Sequence, residues 1–455
     1  MNLYIKFFSF TFFIATNFVF SQIVSYELVK SWTKSEVEEL YINNFLPSNT
    51  GKVNFEVDGY KILYFTPNHN GDLVLCSGAI YLPKGTICPS PVLSWQHGTT
   101  ANDYWVPSNI YSDNNIIGVV GASHGYIVTM SDFIGLGDGV GFHNYVHAET
   151  EASSTIDLIL LGKEFAYDKG VMPNNQLFLF GYSQGGHATM ATVRELQNNP
   201  SLNLNVTASA PMAGPYSMSG IMRELMESGM PYPNPGYLPY VLFSYQNIYN
   251  LFDDITEVLK YPYNEYLFGM YSGAYSMYEI NQTLPQNPIE IFQNDYYENF
   301  LNDPNHPFNL ALIDNDVYDF FPESPMKLFH CSGDDNIPFE NSEYVFDLWT
   351  EYSNILGVEL DVVLEDGGNF DHVTCAQFAI IGSKLWIDTM AEICEPEETT
   401  NLEQNLMNKK KIESIYDLMG REVRASKKMN QILVYFYNDG TFEKRFPLFE
   451  TEMQR

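Results

Sequence analysis

One hexapeptide constrains the fold of this 455-residue chain more than any other feature. Gly181-Tyr-Ser-Gln-Gly-Gly186 follows the apolar run 176–180 and precedes the helix-like stretch 187–196. A strand, a sharp turn and a helix with a serine at the apex form the G-x-S-x-G nucleophile elbow. Its glycines are required because a side chain two positions from the serine would collide where the strand meets the helix. The motif therefore predicts a nucleophilic Ser183.

A serine hydroxyl becomes a useful nucleophile only beside a base that takes its proton, and that base needs an acid to orient it. In this arrangement the acid follows the serine along the chain and lies after a late strand. Residues 326–330 have the pattern of such a strand, and Gly333-Asp-Asp-Asn-Ile-Pro338 follows it. We expect Asp334 to be the acid, with Asp335 as the alternative. A plain Asp-rich turn that caps the next helix would have the same local sequence.

The base should come last in the chain order. The strand-like run 360–364 leads into a glycine-containing loop with one histidine, His372, which is the predicted base. His330 is the main rival, but it lies inside the strand before the acid and is expected to be structural. His187 lies on the helix after the serine and is expected to point away from the attacking face.

Acyl transfer also needs backbone amides that face the developing oxyanion. One donor is normally the amide after the nucleophile, here that of Gln184. The second comes from the loop after an earlier strand, and Trp95-Gln-His-Gly-Thr-Thr100 predicts the amide of Thr99. The loop 131–137 after the next strand is a competing source and contains Asp132.

No feature of the sequence requires a metal or an organic cofactor. His143 and His147 have a spacing that can chelate a metal on a helix, with Glu149 nearby, but the glutamate of a zincin motif is missing. The triplet Asp314-Asn-Asp316 lacks the glycine of a calcium loop. We therefore expect neither a zinc site nor a calcium site.

The alternation of strand-like and helix-like segments predicts an α/β fold with a mostly parallel sheet. An antiparallel meander should come first, with Asp58-Gly59 as a hairpin turn and a short capped helix before it at 33–43. The alternation stops between about 211 and 325, a segment rich in Tyr, Phe, Met, Asn and Pro. We expect a cap over the site, helical at 216–228 and 251–260, with a separate accessory domain as the alternative.

The two ends of the chain carry export features. Residues 1–21 contain one charge, Lys6, an apolar run and small residues before Gln22, which is typical of a secretory signal peptide. No later segment has the apolar length of a membrane helix. Five cysteines allow at most two internal disulfides, and Cys331 and Cys375 lie close in sequence to the predicted acid and base. The net charge of −33 argues against a nucleic-acid partner.

Together these segments resemble an α/β-hydrolase, and more narrowly the secreted lipases and esterases related to fungal secretory lipases. The resemblance covers residues 55–390 without the cap and includes Gly125-Tyr-Ile-Val-Thr-Met-Ser-Asp132, Gly181-Tyr-Ser-Gln-Gly-Gly186 and Asp334-Asp-Asn-Ile-Pro338. In fungal relatives the amide matching Asp132 is implicated in the oxyanion hole. The His97-Gly98 step resembles bacterial esterases instead.

A solvated linker is expected at 395–400, and the tail that follows, residues 399–455, is expected to be a small β-type unit with a turn at 438–440. This tail resembles a C-terminal sorting domain of the type IX secretion system. Ile415-Tyr-Asp-Leu-Met-Gly-Arg421, a strand, and Tyr437-Asn-Asp-Gly-Thr-Phe-Glu-Lys-Arg445 carry that resemblance. Lys427-Lys-Met-Asn-Gln431 departs from it, because such domains usually have a glycine there. The resemblance implies a secretion-machinery partner and a product that is released or attached to the cell surface.

The sequence thus predicts an exported serine hydrolase of carboxylic esters, with its catalytic domain at 22–398 and Ser183, Asp334 and His372 as its triad. A small-molecule or lipid ester with an apolar acyl group is the expected substrate, because the cap is aromatic and rich in Met. A serine exopeptidase of the prolyl-oligopeptidase type is one alternative. An inactive surface binding protein on a hydrolase scaffold is the other.

Overall fold

A computed structural model describes residues 21–44, 51–112, 115–394, 412–417, 421–423, 433–437 and 441–445. The chain divides into two compact units, Met1–Pro396 and Glu397–Arg455. Apart from Ser21, the predicted signal peptide lies outside the described residues, as does the predicted linker at 395–400.

The strands of the first unit are β1 (Ile23–Trp32), β2 (Glu56–Pro67), β3 (Leu73–Lys84), β4 (Ser90–Gln96), β5 (Ile127–Ser131), β6 (Pro173–Tyr182), β7 (Val206–Met212), β8 (Met326–His330) and β9 (Val362–Asp366). In the described part of the unit these nine strands form one sheet in the order β1-β2-β3-β5-β4-β6-β7-β8-β9. The pairs β1·β2, β2·β3 and β3·β5 are antiparallel, and the pairs from β5 to β9 are parallel. The predicted mostly parallel sheet with a leading antiparallel meander is confirmed.

The helices are α1 (Lys34–Asn43), α2 (Asn115–His124), α3 (Ala148–Asp168), α4 (Gln184–Asn198), α5 (Arg223–Glu227), α6 (Tyr237–Tyr249), α7 (Tyr263–Met270), α8 (Met277–Asn281), α9 (Asn294–Asn302), α10 (Pro307–Asp314), α11 (Glu340–Leu356) and α12 (His372–Asp388). The predicted capping box of α1 is present: Thr33 and Glu36 exchange side-chain and backbone hydrogen bonds. Within the described ranges, no helix combines the length and the apolar character needed to cross a bilayer.

The sheet has a hydrophobic core on each face because successive strand side chains point to opposite sides. In β6, Leu177 and Leu179 pack in the core built with α3, α4 and α11. Phe178 and Phe180 of the same strand pack in the core that includes residues of α1, α2 and α12. The central strand is therefore apolar on both faces, as expected for a parallel sheet covered by helices.

The segment between β7 and β8 contains α5 to α10 and packs around a third hydrophobic core, which also includes Ala101, Tyr145, Val146 and Ile337 from outside the segment. The predicted helix at 216–228 is present as a π-helical turn, Met218–Met222, followed by α5. The predicted helix at 251–260 is wrong, since only a 3₁₀ turn, Ile255–Glu257, forms there. The longest helix of the segment, α6, was not predicted.

The predicted hairpin turn at Asp58-Gly59 is also wrong. β2 continues through both residues, and Gly59 pairs with Lys30 on one side and Tyr81 on the other. A Cβ at Gly59 would lie 2.7 Å from the ring of Trp32 and 3.1 Å from the ring of Tyr81. Gly59 is therefore needed because two aromatic rings pack closely over the strand at this position, and not because the chain turns there.

The first unit contains two disulfides, Cys88–Cys394 and Cys331–Cys375. Cys76 is buried and is not part of a disulfide. This matches the limit of two internal bridges with one cysteine left over. The sequence had left the pairing open.

The second unit contains three described strands, β10 (Ile412–Asp417), β11 (Leu433–Tyr437) and β12 (Phe442–Arg445). They form an antiparallel sheet in chain order. Ile415, Leu433 and Tyr437 are buried. The predicted small β-type unit is present, while its predicted turn at 438–440 lies outside the described residues.

Candidate active site

Ser183 occupies the turn between β6 and α4 with a positive φ of 62° and a ψ of −121°. Its amide donates to the carbonyl of Met212 at 3.0 Å, which fixes the turn against β7. A Cβ at Gly181, Gly185 or Gly186 would overlap backbone atoms of Gly185, Gln96 or Met212 respectively. These contacts explain why the hexapeptide needs its glycines, and a non-glycine residue at positive φ is a form of backbone strain found at functional sites.

Asp334 and His372 come together at the end of the parallel sheet. Oδ2 of Asp334 lies 2.6 Å from Nδ1 of His372. The other carboxylate oxygen, Oδ1, accepts the amides of Asn336 and Ile337 at 2.9 and 2.8 Å. The turn after β8 thus holds the carboxylate in one orientation, facing the imidazole.

His372 is the first residue of α12 rather than a loop residue. The side chain of Asp371 caps this helix by accepting the amide of Thr374 at 2.8 Å. The amide of His372 donates to Oδ1 of Asp335 at 3.2 Å. The two adjacent aspartates therefore have different contacts: Asp334 faces the ring of His372, while the exposed Asp335 accepts its backbone amide.

His330, the rival histidine, lies against the same carboxylate. Its Nε2 is 3.3 Å from Oδ2 of Asp334 and 3.0 Å from the carbonyl of Ile337, and its Nδ1 is 2.8 Å from Oγ of Ser342. The ring is fully buried. Burial alone would raise the pKa of Asp334, but the hydrogen bonds from His330 and His372 outweigh it and hold that pKa well below its usual range.

Tyr182 connects His372 to the elbow, because it directly precedes Ser183. Its hydroxyl donates to the carbonyl of His372 at 2.7 Å, and the two rings lie 4.9 Å apart between centroids. The Cys331–Cys375 bridge joins the end of β8 to the first turn of α12. The three predicted residues thus lie on elements that are tied together covalently or by hydrogen bonds.

The two candidates for the second oxyanion donor differ in what their amides already contact. The amide of Asp132 donates to the carbonyl of Ser77 at 3.0 Å. The Asp132 carboxylate is buried and accepts from the amide of Ser108 at 2.7 Å and the hydroxyl of Ser77 at 2.5 Å. Burial raises the pKa of this carboxyl to about 6. The Asp132 side chain therefore stabilises the loop after β5, and its backbone amide is already engaged in a hydrogen bond.

The backbone amides of Thr99 and Gln184 are different, since neither donates a hydrogen bond to any of the described residues. A Cβ placed on Gly98 would lie 3.8 Å from Cβ of Ser183, so the Thr99 loop runs directly beside the serine. The Thr99 hydroxyl contacts the hydroxyl of Tyr145 at 2.9 Å. These two amides fit an oxyanion hole, where donors must be open until charge develops.

A buried polar network behind the elbow was not predicted. Glu151 is 1% exposed and accepts from the side-chain amide of Gln184 at 2.8 Å, while its other oxygen lies 2.7 Å from Nδ1 of His187. The Gln184 amide also lies 2.9 Å from Nε2 of His143. The other ring nitrogen of His187, Nε2, lies 2.9 Å from the carbonyl oxygen of Asn315. Clusters of three or more His, Cys, Asp or Glu able to bind a metal are absent from the described residues.

An apolar cavity of about 60 Å³ opens at Ser183 and extends into the cap. Its lining combines the elbow with side chains from the Tyr145 loop and from α5 and α6. They are Tyr145, Val146, Ser183, Gln184, Pro215, Met218, Met222, Leu225, Met226, Gly229, Met230, Tyr232, Tyr237, Leu238, Val241, Asn287, Pro288 and Ile337.

Solved structures with the same architecture define the class. A protein from Legionella pneumophila described as a hydrolase is 29% identical, with a TM-score of 0.73 over 83% of this chain and all of its own. The rice cell wall degrading esterase LipA from Xanthomonas oryzae is 24% identical, with a TM-score of 0.71 over 81% of this chain and 97% of its own. Candida antarctica lipase A is 16% identical, with a TM-score of 0.58 over 81% and 84%. The fold is that of an α/β-hydrolase.

The sequence matches the family model of the secretory lipases over residues 112–389. The chain therefore belongs to the secretory lipase family, and it is a carboxylic ester hydrolase. No curated protein matches the sequence. The predicted resemblance to secreted lipases and esterases is confirmed.

Proposed function

We propose that Ser183, His372 and Asp334 form the catalytic triad and hydrolyse carboxylic esters through an acyl-enzyme. The observation that carries the proposal is the 2.6 Å contact between Oδ2 of Asp334 and Nδ1 of His372, next to the strained serine turn. This contact leaves Nε2 of His372 as the nitrogen that takes the serine proton.

The reaction begins when Ser183 Oγ attacks the ester carbonyl while His372 accepts its proton. The tetrahedral intermediate collapses, His372 returns the proton to the leaving alcohol, and an acyl group remains on the serine. Water then attacks the acyl-enzyme with the same base and releases the acid. Asp334 stays ionised, because its pKa is held low, and it stabilises the imidazolium that forms twice in the cycle.

The amides of Gln184 and Thr99 stabilise the oxyanion in this proposal. Asp132 supports the loop instead, because its amide already donates to Ser77. The mechanism uses side chains and backbone amides of the chain alone, with no metal or organic cofactor in any step.

The substrate is a small-molecule or lipid ester whose acyl group enters the apolar cavity at Ser183. The lining of this cavity is almost entirely apolar. Its polar groups are those of Ser183, Gln184 and Asn287, the tyrosine hydroxyls and the backbone. Such a lining favours an alkyl or aromatic acyl group over a charged one.

The protein is exported in this proposal, in keeping with its family. The signal peptide at 1–21 would direct it across the inner membrane. The unit at 399–455 would serve as a type IX sorting domain and pass it through the outer membrane. Export also agrees with the two disulfides, which persist in oxidising compartments.

The test is hydrolysis of p-nitrophenyl esters from acetyl to palmitoyl, beside a panel of aminoacyl p-nitroanilides, with wild type and Ser183→Ala in parallel. We expect ester turnover that falls by about 10⁶ in the variant. Turnover of anilides without ester preference would indicate the exopeptidase instead. Absence of Ser183-dependent turnover on both panels, with ligand binding retained, would favour the inactive binding protein.

A further inference from the structure

A second apolar cavity lies behind the one that opens at Ser183. Its volume is about 10 Å³, roughly the space for one water molecule. It is lined by aliphatic and aromatic side chains: Met226, Leu238, Ile289, Phe292, Tyr296, Tyr297, Phe300 and Phe308. Met226 and Leu238 line both cavities, so these two side chains form the wall between them.

The wall is built from two helices of the cap, α5 and α6. Met226 is half-buried on α5, and Leu238 is 7% exposed near the start of α6. Arg223 anchors α5 to the chain behind it. Its Nε donates to Oδ1 of Asn309 at 2.9 Å, and its guanidinium lies 5.3 Å from the ring centroid of Phe300. Its Nη2 also pairs with Glu227 at 2.8 Å, within α5 itself.

We infer that Met226 and Leu238 limit the length of the acyl chain that the site accepts. The inference rests on the proposed ester hydrolysis at Ser183 and names the residues that set its substrate range. An acyl chain that starts at Ser183 and runs along the first cavity meets this wall. Longer chains would have to displace one of the two side chains or remain partly in water.

Removing the wall should join the cavities without disturbing the elbow. Met226→Ala removes three heavy atoms beyond Cβ, so we expect the optimum acyl length to rise by about three carbons. Each additional buried methylene favours binding by about fourfold. For esters longer than the wild-type optimum, kcat/KM relative to the acetyl ester should therefore rise at least tenfold.

The experiment measures kcat/KM across the p-nitrophenyl ester series for the full chain as wild type, Met226→Ala and Leu238→Ala. Met172→Ala is the matched control, because this methionine is 53% exposed and lines neither cavity. The double variant Met226→Ala/Ile289→Phe places a larger side chain at another lining position of the second cavity and refills it. It should return the chain-length profile to that of the wild type. Thermal melting identifies any variant that does not fold.

A second measurement separates this inference from the proposed function. Binding of fatty acids from butanoate to palmitate is measured by calorimetry on Ser183→Ala, alone and combined with Met226→Ala. Tighter binding of the longer acids to Ser183→Ala/Met226→Ala than to Ser183→Ala supports the inference that Met226 limits chain length, even where no ester is turned over. Unchanged length profiles in both assays, with folded Met226→Ala and Leu238→Ala, would overturn the inference and leave Ser183-dependent hydrolysis standing.

Discussion

Oδ2 of Asp334 lies 2.6 Å from Nδ1 of His372, whereas Asp335 contacts only the backbone amide of that histidine, at 3.2 Å. These two adjacent aspartates of one turn therefore have different roles. The first can orient the imidazole and offset its charge. The second accepts a hydrogen bond from the first amide of α12, that of His372.

This difference predicts unequal effects of two isosteric substitutions. Asp334→Asn should lower kcat by about 10⁴, because an amide in this position favours the wrong tautomer of His372. Asp335→Asn should lower kcat by less than about tenfold, since the amide oxygen of asparagine can still accept from the His372 amide. Steady-state kinetics on a p-nitrophenyl ester measures both. Equal losses in the two variants would show that the assignment of the acid is wrong.

The depressed pKa of Asp334 predicts how its contribution to stability depends on pH. The group stabilises the folded state above its unfolded pKa of about 3.9, and this contribution is lost as the pH falls below that value towards the folded pKa. The difference in unfolding free energy between wild type and Asp334→Asn should therefore be largest near neutral pH and shrink below about pH 4.

Urea unfolding at pH 7, 5 and 3 measures this difference. Asp335→Asn, which removes a negative charge from the same turn, is the matched control. A difference for Asp334→Asn that stays constant across the three pH values would contradict the contacts with His330 and His372 as the origin of the shift.

The free amide of Thr99 predicts a loss of transition-state stabilisation when its hydrogen is removed. Thr99→Pro should lower kcat by about 10²–10³ with a much smaller change in KM. Thr99→Ala keeps the amide and loses only the hydroxyl contact with Tyr145, so its kcat should stay within about tenfold of wild type. Circular dichroism and melting confirm that both variants are folded. Full activity in folded Thr99→Pro would indicate that the backbone amide of Asp132, not that of Thr99, is the second oxyanion donor.

The two disulfides should differ in their effect on activity. Cys331→Ser/Cys375→Ser opens a loop with a sequence separation of 44 and should cost about 4 kcal/mol of stability. It also frees the turn of Asp334 from the helix of His372, so kcat should fall even well below the melting temperature.

The matched control is Cys88→Ser/Cys394→Ser, which removes a bridge remote in sequence from the acid and the base. This variant should melt earlier but keep kcat near the wild-type value at low temperature. Equal kcat for the two double variants below their melting points would show that the Cys331–Cys375 bridge has no part in positioning the site.

The sequence was sufficient where the chemistry depends on local patterns and chain order. The elbow at 181–186 is specified by its own glycines. The turn after β8 and the histidine after β9 follow from the order of strands. For this reason Asp334 and His372 could be proposed as partners before any distance between them was known, although 38 residues separate them in the chain.

The sequence was insufficient where a residue is explained by a distant partner. Gly59 suggested a turn because its contact with Trp32 is not visible in the local sequence. No local pattern predicted a role for Glu151, because its partners Gln184 and His187 lie on another helix. The nearby His143 and His147 were the more obvious candidates. The helix α6 contains Pro239 and many aromatic residues, and packing within the cap core outweighs its modest intrinsic propensity.

The Cys88–Cys394 bridge has a mechanical consequence. Cys394 lies close to the boundary between the two compact units, and the covalent loop that it closes spans 306 positions and contains Ser183, Asp334 and His372. Tension applied through the C-terminal unit would pass through Cys394 to the start of β4 along a covalent bond. Helix α12, with His372 at its first turn, is joined to the same Cys394 by residues 389–393, so the bridge shares the load with it. A pull on the C-terminal unit would thus have to break or bypass this bridge before it could peel α12 from the sheet.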